Sequence, residues 1–245
     1  MNPTVELLKA HRSIRKFTDK PIPTEDLHEL IAAGQGAATS SFLQGTTVIR
    51  VTRPEVKAEF VELTGGQAYI GTAAEFLVFC ADLRRSSNCC AMHGKEATEG
   101  MTEHFIIATV DVALFAQNVV VAAEAMGLGI CYIGGIRNDP KRAADLIELP
   151  RGVYPVFGLC LGTPDQDPEV KPRLPVELVL KQDVYRDNED TAIIEQYDEI
   201  VRQYYATRTG NPKSQSWSEQ MDGLLGKESR PHMKSFLADY GFTMR

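Results

Sequence analysis

Five consecutive residues, His11-Arg12-Ser13-Ile14-Arg15, put two guanidinium groups, an imidazole and a hydroxyl side by side near the start of the chain. A guanidinium presents planar, forked donors that match phosphate oxygens, and a serine hydroxyl adds one short bond. Arg12 and Arg15 stand three residues apart, and converge on a single anion if the turn carrying them is helical. A second pair of cations, Lys171 and Arg173, is held between Pro172 and Pro175. Either pair alone is also what a solvated basic turn looks like, and a helix C-terminus favours cations in any case. Together they make four cations for one phosphate.

Other stretches suit a flat ligand. Thr39-Ser40-Ser41-Phe42 is small and hydroxyl-rich and ends in an aromatic. Read plainly it is a loop; read functionally, it lets a planar group approach the backbone. Gly65-Gly66 breaks a helix as a C-cap would, and Gln67 beyond it carries a donor and an acceptor for a heterocycle edge such as a flavin ring. Ile133-Gly134-Gly135 closes a strand where backbone N–H groups become reachable. The run from Gly127 fails the G-x-G-x-x-G pattern because position 132 is tyrosine, so a Rossmann dinucleotide fold is not supported. The five cysteines include the adjacent pair Cys89-Cys90 but no C-x-x-C or zinc-like spacing, so no metal site is expected. Cys80, Cys131 and Cys160 lie in apolar runs and read as buried thiols of a reducing cytoplasm.

The elements that must position these groups follow from periodicity. Residues 3–10 form a short amphipathic helix with Val5, Leu7 and Leu8 toward one side. Thr24 is the expected N-cap of a second helix through Leu27, Leu30, Ile31 and Gly34. A strand at 48–51 precedes a helix from Pro54 that buries Val56, Phe60 and Leu63, and residues 75–82 read as a buried strand. The polar stretch 84–102 is expected to be a long, mobile connection. Residues 105–127 are apolar enough to suggest a membrane span, but Asp111, Gln117, Asn118 and Glu124 make a core helix the better reading. Asp139-Pro140 looks like N-cap and first residue of a helix to Leu146. A strand at 154–161, a helix at 191–208, a capping box at Ser216 and Glu219 and a final amphipathic segment to Gly241 complete the chain. The 245 residues carry a formal charge of −7 and 43% hydrophobic residues, the balance of an ordinary soluble protein and not of a general nucleic-acid or anionic-membrane binder. No signal peptide is visible and no composition shift forces a domain boundary. Strands separated by helices give an α+β or α/β class.

Taken in order, His11-Arg12-Ser13-Ile14-Arg15-x-Phe17-Thr18, Ser40-Ser41-Phe42-Leu43-Gln44, Gly65-Gly66-Gln67, Tyr132-Ile133-Gly134-Gly135-Ile136-Arg137-Asn138, Phe157-Gly158-Leu159-Cys160-Leu161-Gly162 and Lys171-Pro172-Arg173-Leu174-Pro175 resemble the nitroreductase superfamily. More narrowly they are similar to the oxygen-insensitive NADPH nitroreductase and NADPH–FMN oxidoreductase group. The likeness continues through Tyr204-Tyr205-x-Thr207-Arg208 and Lys227-Glu228-Ser229-Arg230-Pro231.

The resemblance implies an α+β nitroreductase-like fold, with a mainly antiparallel sheet flanked by helices. It implies a single domain over 1–245, with a C-terminal helical extension at 190–245 packing on the partner subunit of a domain-swapped homodimer. FMN is the implied cofactor and NADPH the electron donor, in a cytoplasmic enzyme that reduces nitroaromatics, quinones, flavins or similar acceptors by two-step hydride transfer. The resemblance assigns His11, Arg12, Ser13, Arg15, Lys171 and Arg173 to the FMN phosphate. Gln67, Ile133, Gly134 and Gly135 fall at its ring, and Thr39, Ser40, Ser41 and Phe42 approach from the partner. Arg208, helped by Lys213, is expected to meet the extra phosphate of NADPH, although an arginine at a helix end also serves as a dipole complement. Ser41, Phe42 and Arg230 are expected to face the acceptor, and His232 stands where related enzymes often carry an aromatic residue. No side chain is needed as a covalent catalyst. A non-catalytic FMN-binding sensor or carrier is the alternative class.

Overall fold

The computed structural model describes residues 2–245, which divide into two compact units: the chain up to Gln166 together with Arg230–Arg245, and Asp167–Ser229. The boundary near 167, with the last residues returning to the first unit, differs from the extension expected to begin at 190.

The first unit contains helices α1 (Pro3–Lys9), α2 (Thr24–Gln35), α3 (Pro54–Leu63), α4 (Tyr69–Thr72), α5 (Arg84–Met92), α6 (Thr102–Ala125) and α7 (Pro140–Leu146), with strands β1 (Thr46–Arg50), β2 (Glu75–Asp82), β3 (Gly129–Ile133) and β4 (Val153–Gly162). The second unit contains α8 (Val176–Val179), α9 (Asp190–Thr207) and α10 (Trp217–Leu225); α11 (Met233–Asp239) belongs to the first.

The strands form one sheet in the order β1-β2-β4-β3, every pair antiparallel. Alternation along β2 sorts its residues between two cores. Leu77, Phe79 and Ala81 pack with Leu30, Val112, Val119 and Leu159 on the α2–α6 side. Phe76, Val78 and Cys80 pack with Phe60, Ile133 and Cys160 on the α3–α7 side. A fully buried side chain of the Phe, Leu or Ile class contributes about 1.5–3 kcal/mol, so this two-faced burial is why residues 75–82 read as a continuous apolar run.

Between β2 and β4 the register shifts at Phe79/Cys80, which pair with Phe157 and Pro155 and leave Val156 as the extra residue of a bulge. The Val156 carbonyl accepts a 2.6 Å bond from Arg137 Nη1, so a half-buried arginine closes the gap in the ladder.

Local signals hold where a short-range interaction decides the outcome. Asp139 caps α7 by accepting from Arg142 N at 3.0 Å, and Ser216 and Glu219 form both halves of a capping box on α10. Thr24, in contrast, is already helical and Pro23 holds the cap position without a side-chain bond. Residues 84–92 form α5 instead of a mobile connection; Asp82 Oδ1 accepts from Arg85 N at 3.1 Å and starts the helix. Cys89 and Cys90 lie on it, the first exposed, whereas Cys80, Cys131 and Cys160 are buried thiols.

Helix α6 has the length and hydropathy of a membrane span. Ala108, Asp111, Val112, Ala116, Val119, Val120 and Ala123 form its buried face. Ile106, Val110 and Leu114, four residues apart, remain exposed on another. On α1, Val5 and Leu8 are exposed and no residue is buried, so its apolar side is not covered by this chain.

Candidate functional site

The segment 11–18 is extended, not helical. Ser13 bridges Ile130 in parallel, Ile14 N donates to Ile130 O at 2.8 Å and Thr18 N to Thr163 O at 2.9 Å. The segment therefore runs along the β3 end of the sheet, and residues three apart on an extended chain point to opposite faces. The helical turn that would let Arg12 and Arg15 converge is absent. His11 instead pairs with Glu124 of α6, Nδ1 to Oε1 at 2.6 Å, and Arg12 donates to its neighbour Ala10 O at 3.1 Å.

Arg15 lies with the ring-end group. Burial, together with the nearby Cys131, raises the pKa of the Tyr69 hydroxyl, while a hydrogen bond from Arg15 opposes the rise. Tyr69 donates to Gln67 Oε1 at 2.6 Å, and Gln67 Nε2 donates to Thr64 O at 3.1 Å. Gly65 and Gly66 reach this arrangement with φ of +82° and +83°, a region that glycine enters without a Cβ clash. Gly135 meets the Gln67 amide so closely that a Cβ there would stand 2.5 Å from Nε2. Gln67, Gly135 and Arg15 are thus brought together with Tyr69 and Cys131, neither of which the sequence marked as part of a site. Ile133 is buried in the core beneath, and Gly134 stands beside Arg137.

The loop 39–45 is organised by Asp111, a carboxylate only 3% exposed. It accepts from Thr39 Oγ1 at 2.5 Å, Ser40 N at 3.2 Å and Gly45 N at 3.0 Å. With its base fixed, the loop holds Ser41, Phe42 and Gln44 at φ of +50°, +56° and +54°, a costly region for residues with a Cβ. Phe42 is left 78% exposed. Asp111 was legible only as a charge out of place in an apolar helix.

Arg230, itself at φ +53°, donates from Nε and Nη2 to Asn138 Oδ1 at 3.1 and 2.9 Å. His232 Nε2 lies 3.0 Å from the Arg137 carbonyl oxygen, which makes this nitrogen the proton-bearing one. Burial, reinforced by the charge of Arg230, lowers the pKa of Arg137.

In the second unit the cations collect around one ring. Lys171 Nζ, Arg208 Cζ and Lys213 Nζ stand 5.2, 4.6 and 4.5 Å from the Tyr205 centroid. Burial alone would raise the phenol, but Lys171, Lys213 and Arg208 outweigh it and the pKa falls below its ordinary value. Tyr197 donates to Pro172 O at 2.9 Å and pins the turn that carries Lys171 and the exposed Arg173. Beyond α9, Lys213 N returns to Tyr205 O at 3.0 Å, while Arg208 grips Asn211 O at 3.1 and 2.6 Å.

The first unit thus holds a sheet end built around glycine and an amide, and the second holds three cations around one tyrosine ring. The Nitroreductase family profile matches residues 8–163, and the profile of the Nitroreductase family C-terminal domain matches 171–245. The chain belongs to the nitroreductase family. It is 43% identical over 245 residues to the oxygen-insensitive NADPH nitroreductase of Salmonella typhimurium, with 100% of each chain covered. It is 44% identical over 246 residues to the NADPH-flavin oxidoreductase of Vibrio harveyi, again with 100% of each covered. The solved NADPH:FMN oxidoreductase from Vibrio harveyi, complexed with NAD+, matches with a TM-score of 0.91 at 41% identity and 100% coverage of both chains.

Proposed function

We propose that this protein is an FMN-dependent NADPH oxidoreductase that reduces nitroaromatics, quinones, flavins or similar small acceptors. The observation that carries the reading is the Gln67 amide at the glycine end of β3. One N–H and one acceptor position of that amide are used internally, which leaves one of each for a heterocycle edge. The absence of a Cβ at Gly135 gives that amide its room. A flavin ring fits this donor set.

When bound, FMN supplies the two-electron carrier that accepts hydride from NADPH and passes it to the acceptor in a second half-reaction. The chain's own residues bind and orient. Gln67 and the backbone at Ile133, Gly134 and Gly135 fix the ring plane, and Arg15, beside Tyr69, adds a positive charge at that end. His11, Arg12 and Ser13 are assigned to the FMN phosphate, and so are Lys171 and Arg173. Arg208 and Lys213 are assigned to the extra phosphate of NADPH. Arg230 faces the acceptor with Ser41 and Phe42.

The active form is inferred to be a cytoplasmic homodimer in which Thr39, Ser40, Ser41 and Phe42 reach the partner's flavin and the C-terminal helices pack on the partner. The apolar stripe of Ile106, Val110 and Leu114 on α6 supports it, because a second copy removes that surface from water. Light scattering is expected to give a dimer; an active, FMN-loaded monomer at low micromolar concentration overturns this assembly.

The functional test is direct. The purified protein is expected to be yellow and to bleach rapidly when NADPH is added without oxygen. A yellow protein that stays coloured supports a flavin-binding sensor or carrier, and a colourless one that cannot be reconstituted with FMN removes both readings.

A further inference from the structure

The half-buried Tyr69 has no place in the binding reading above, yet it is the residue on which the Gln67 amide depends. An amide has two faces that differ only by exchange of oxygen and nitrogen, so its direction is set by its neighbours. Here the Thr64 carbonyl, 3.1 Å from Nε2, can only accept. The Tyr69 hydroxyl, 2.6 Å from Oε1, gives the amide oxygen its single proton. Turning the amide over would set oxygen against the Thr64 carbonyl and lose that bond, and would bring an N–H to the Tyr69 hydroxyl in place of the oxygen that takes its proton. With its proton committed, the Tyr69 oxygen is left to accept, and the nearby Arg15 guanidinium opposes the rise that burial gives its pKa. The bonds therefore run in one direction, from Tyr69 through Gln67 to the Thr64 carbonyl.

We propose that Tyr69 is a positioning residue for the flavin, acting through Gln67: its hydroxyl locks the amide so that one N–H and one oxygen lone pair face the ring edge in a fixed order. This rests on the FMN reading given above. The consequence concerns electrons more than affinity. Reduction by two electrons adds negative charge to the ring edge, so an N–H aimed there stabilises the reduced state more than the oxidised one. An amide held on the Thr64 side alone gives up part of that preference while it still packs against Gly135.

The midpoint potential of bound FMN separates this role from a merely structural one. It is measured on the holoenzyme for the wild type, Tyr69→Phe, Gln67→Ala and the double variant. Tyr69→Phe keeps the ring and its packing and is expected to keep its flavin. Its potential is expected to move in the negative direction, toward that of Gln67→Ala, and kcat to fall about three- to tenfold with KM for NADPH unchanged, the loss of one neutral hydrogen bond. Because Tyr69 acts through Gln67, the double variant is expected to match Gln67→Ala alone. An unchanged potential in Tyr69→Phe, or additive shifts in the double variant, would overturn the proposal while leaving the FMN enzyme intact. A wild type that takes up no FMN overturns the enzyme reading first, before any variant is made.

Discussion

The two units treat their charges differently. In the first, charged groups are matched: His11 with Glu124, Arg50 with Glu75, Arg142 with Glu59 and Glu62, and Asp111 with three donors of one loop. In the second, Lys181 pairs with Asp190 and Arg202 with Glu199 and Glu219, but Lys171, Arg208 and Lys213 crowd around Tyr205 and none of these three joins a carboxylate in an ion pair among the described residues. Matched charges fix geometry, whereas like charges held together repel and are relieved when an anion arrives. The contrast separates charges that fix local geometry from charges that carry the proposed phosphate contacts.

Breaking the matched side has the largest expected effect. Asp111→Ala takes the acceptor from two backbone N–H groups and the Thr39 hydroxyl, of which Gly45 N is buried, and is expected to cost about 3 kcal/mol of stability. A urea unfolding curve reads it as a lowered midpoint with unchanged slope. A midpoint equal to the wild type would mean that the 39–45 loop holds itself.

Arg15 tests the border between the two kinds of charge. Arg15→Ala removes a charge-assisted contact worth about 1.5–3 kcal/mol, so FMN affinity is expected to drop about 10- to 100-fold. Flavin retention through gel filtration measures it. Full retention would place Arg15 among solvated surface cations.

On the unmatched side, stability should hardly move. Arg208→Ala is expected to raise KM for NADPH about tenfold, the scale of one charged hydrogen bond, with little change for NADH. Hydride transfer at saturating NADPH stays near the wild-type rate, since a remote phosphate is held equally in ground and transition states. Equal losses with both nucleotides would mark Arg208 as a support for the end of α9.

The smallest effect is a titration. Three cations hold the Tyr205 phenol below the ordinary tyrosine value despite its burial, whereas burial pushes Tyr132 and Tyr154 up to about 12. An alkaline absorbance titration is expected to lose a step below pH of about 10 in Tyr205→Phe. The depressed folded value means that this group adds stability only where the phenol ionises, and none at neutral pH. A late Tyr205 step would show that the cations lie farther from the ring in solution.

Wherever a signal is local, the sequence was enough. Pro54 opens α3 and Val56, Phe60 and Leu63 are its buried face; residues 75–82 are the buried strand; Asp139 and Ser216 cap the helices they precede. The ordered motifs also identified the family, because several short patterns in fixed order constrain one another. Tertiary structure decided the rest. The turn after α1 has no local reason to be extended; it is so because Ile14 pairs with Ile130, more than a hundred residues away, and that pairing replaces the helical turn that Arg12 and Arg15 would have shared. Tyr69 could not be marked in advance, since its hydroxyl matters only where Gln67 and Arg15 surround it. Asp111 gave a signal with no destination: a carboxylate in an apolar helix must find donors, but only the folded chain shows that they belong to the 39–45 loop. Backbone hydrogen bonding and apolar periodicity act over a few residues and are written in the sequence. A polar network between distant segments is fixed by the packing that brings them together.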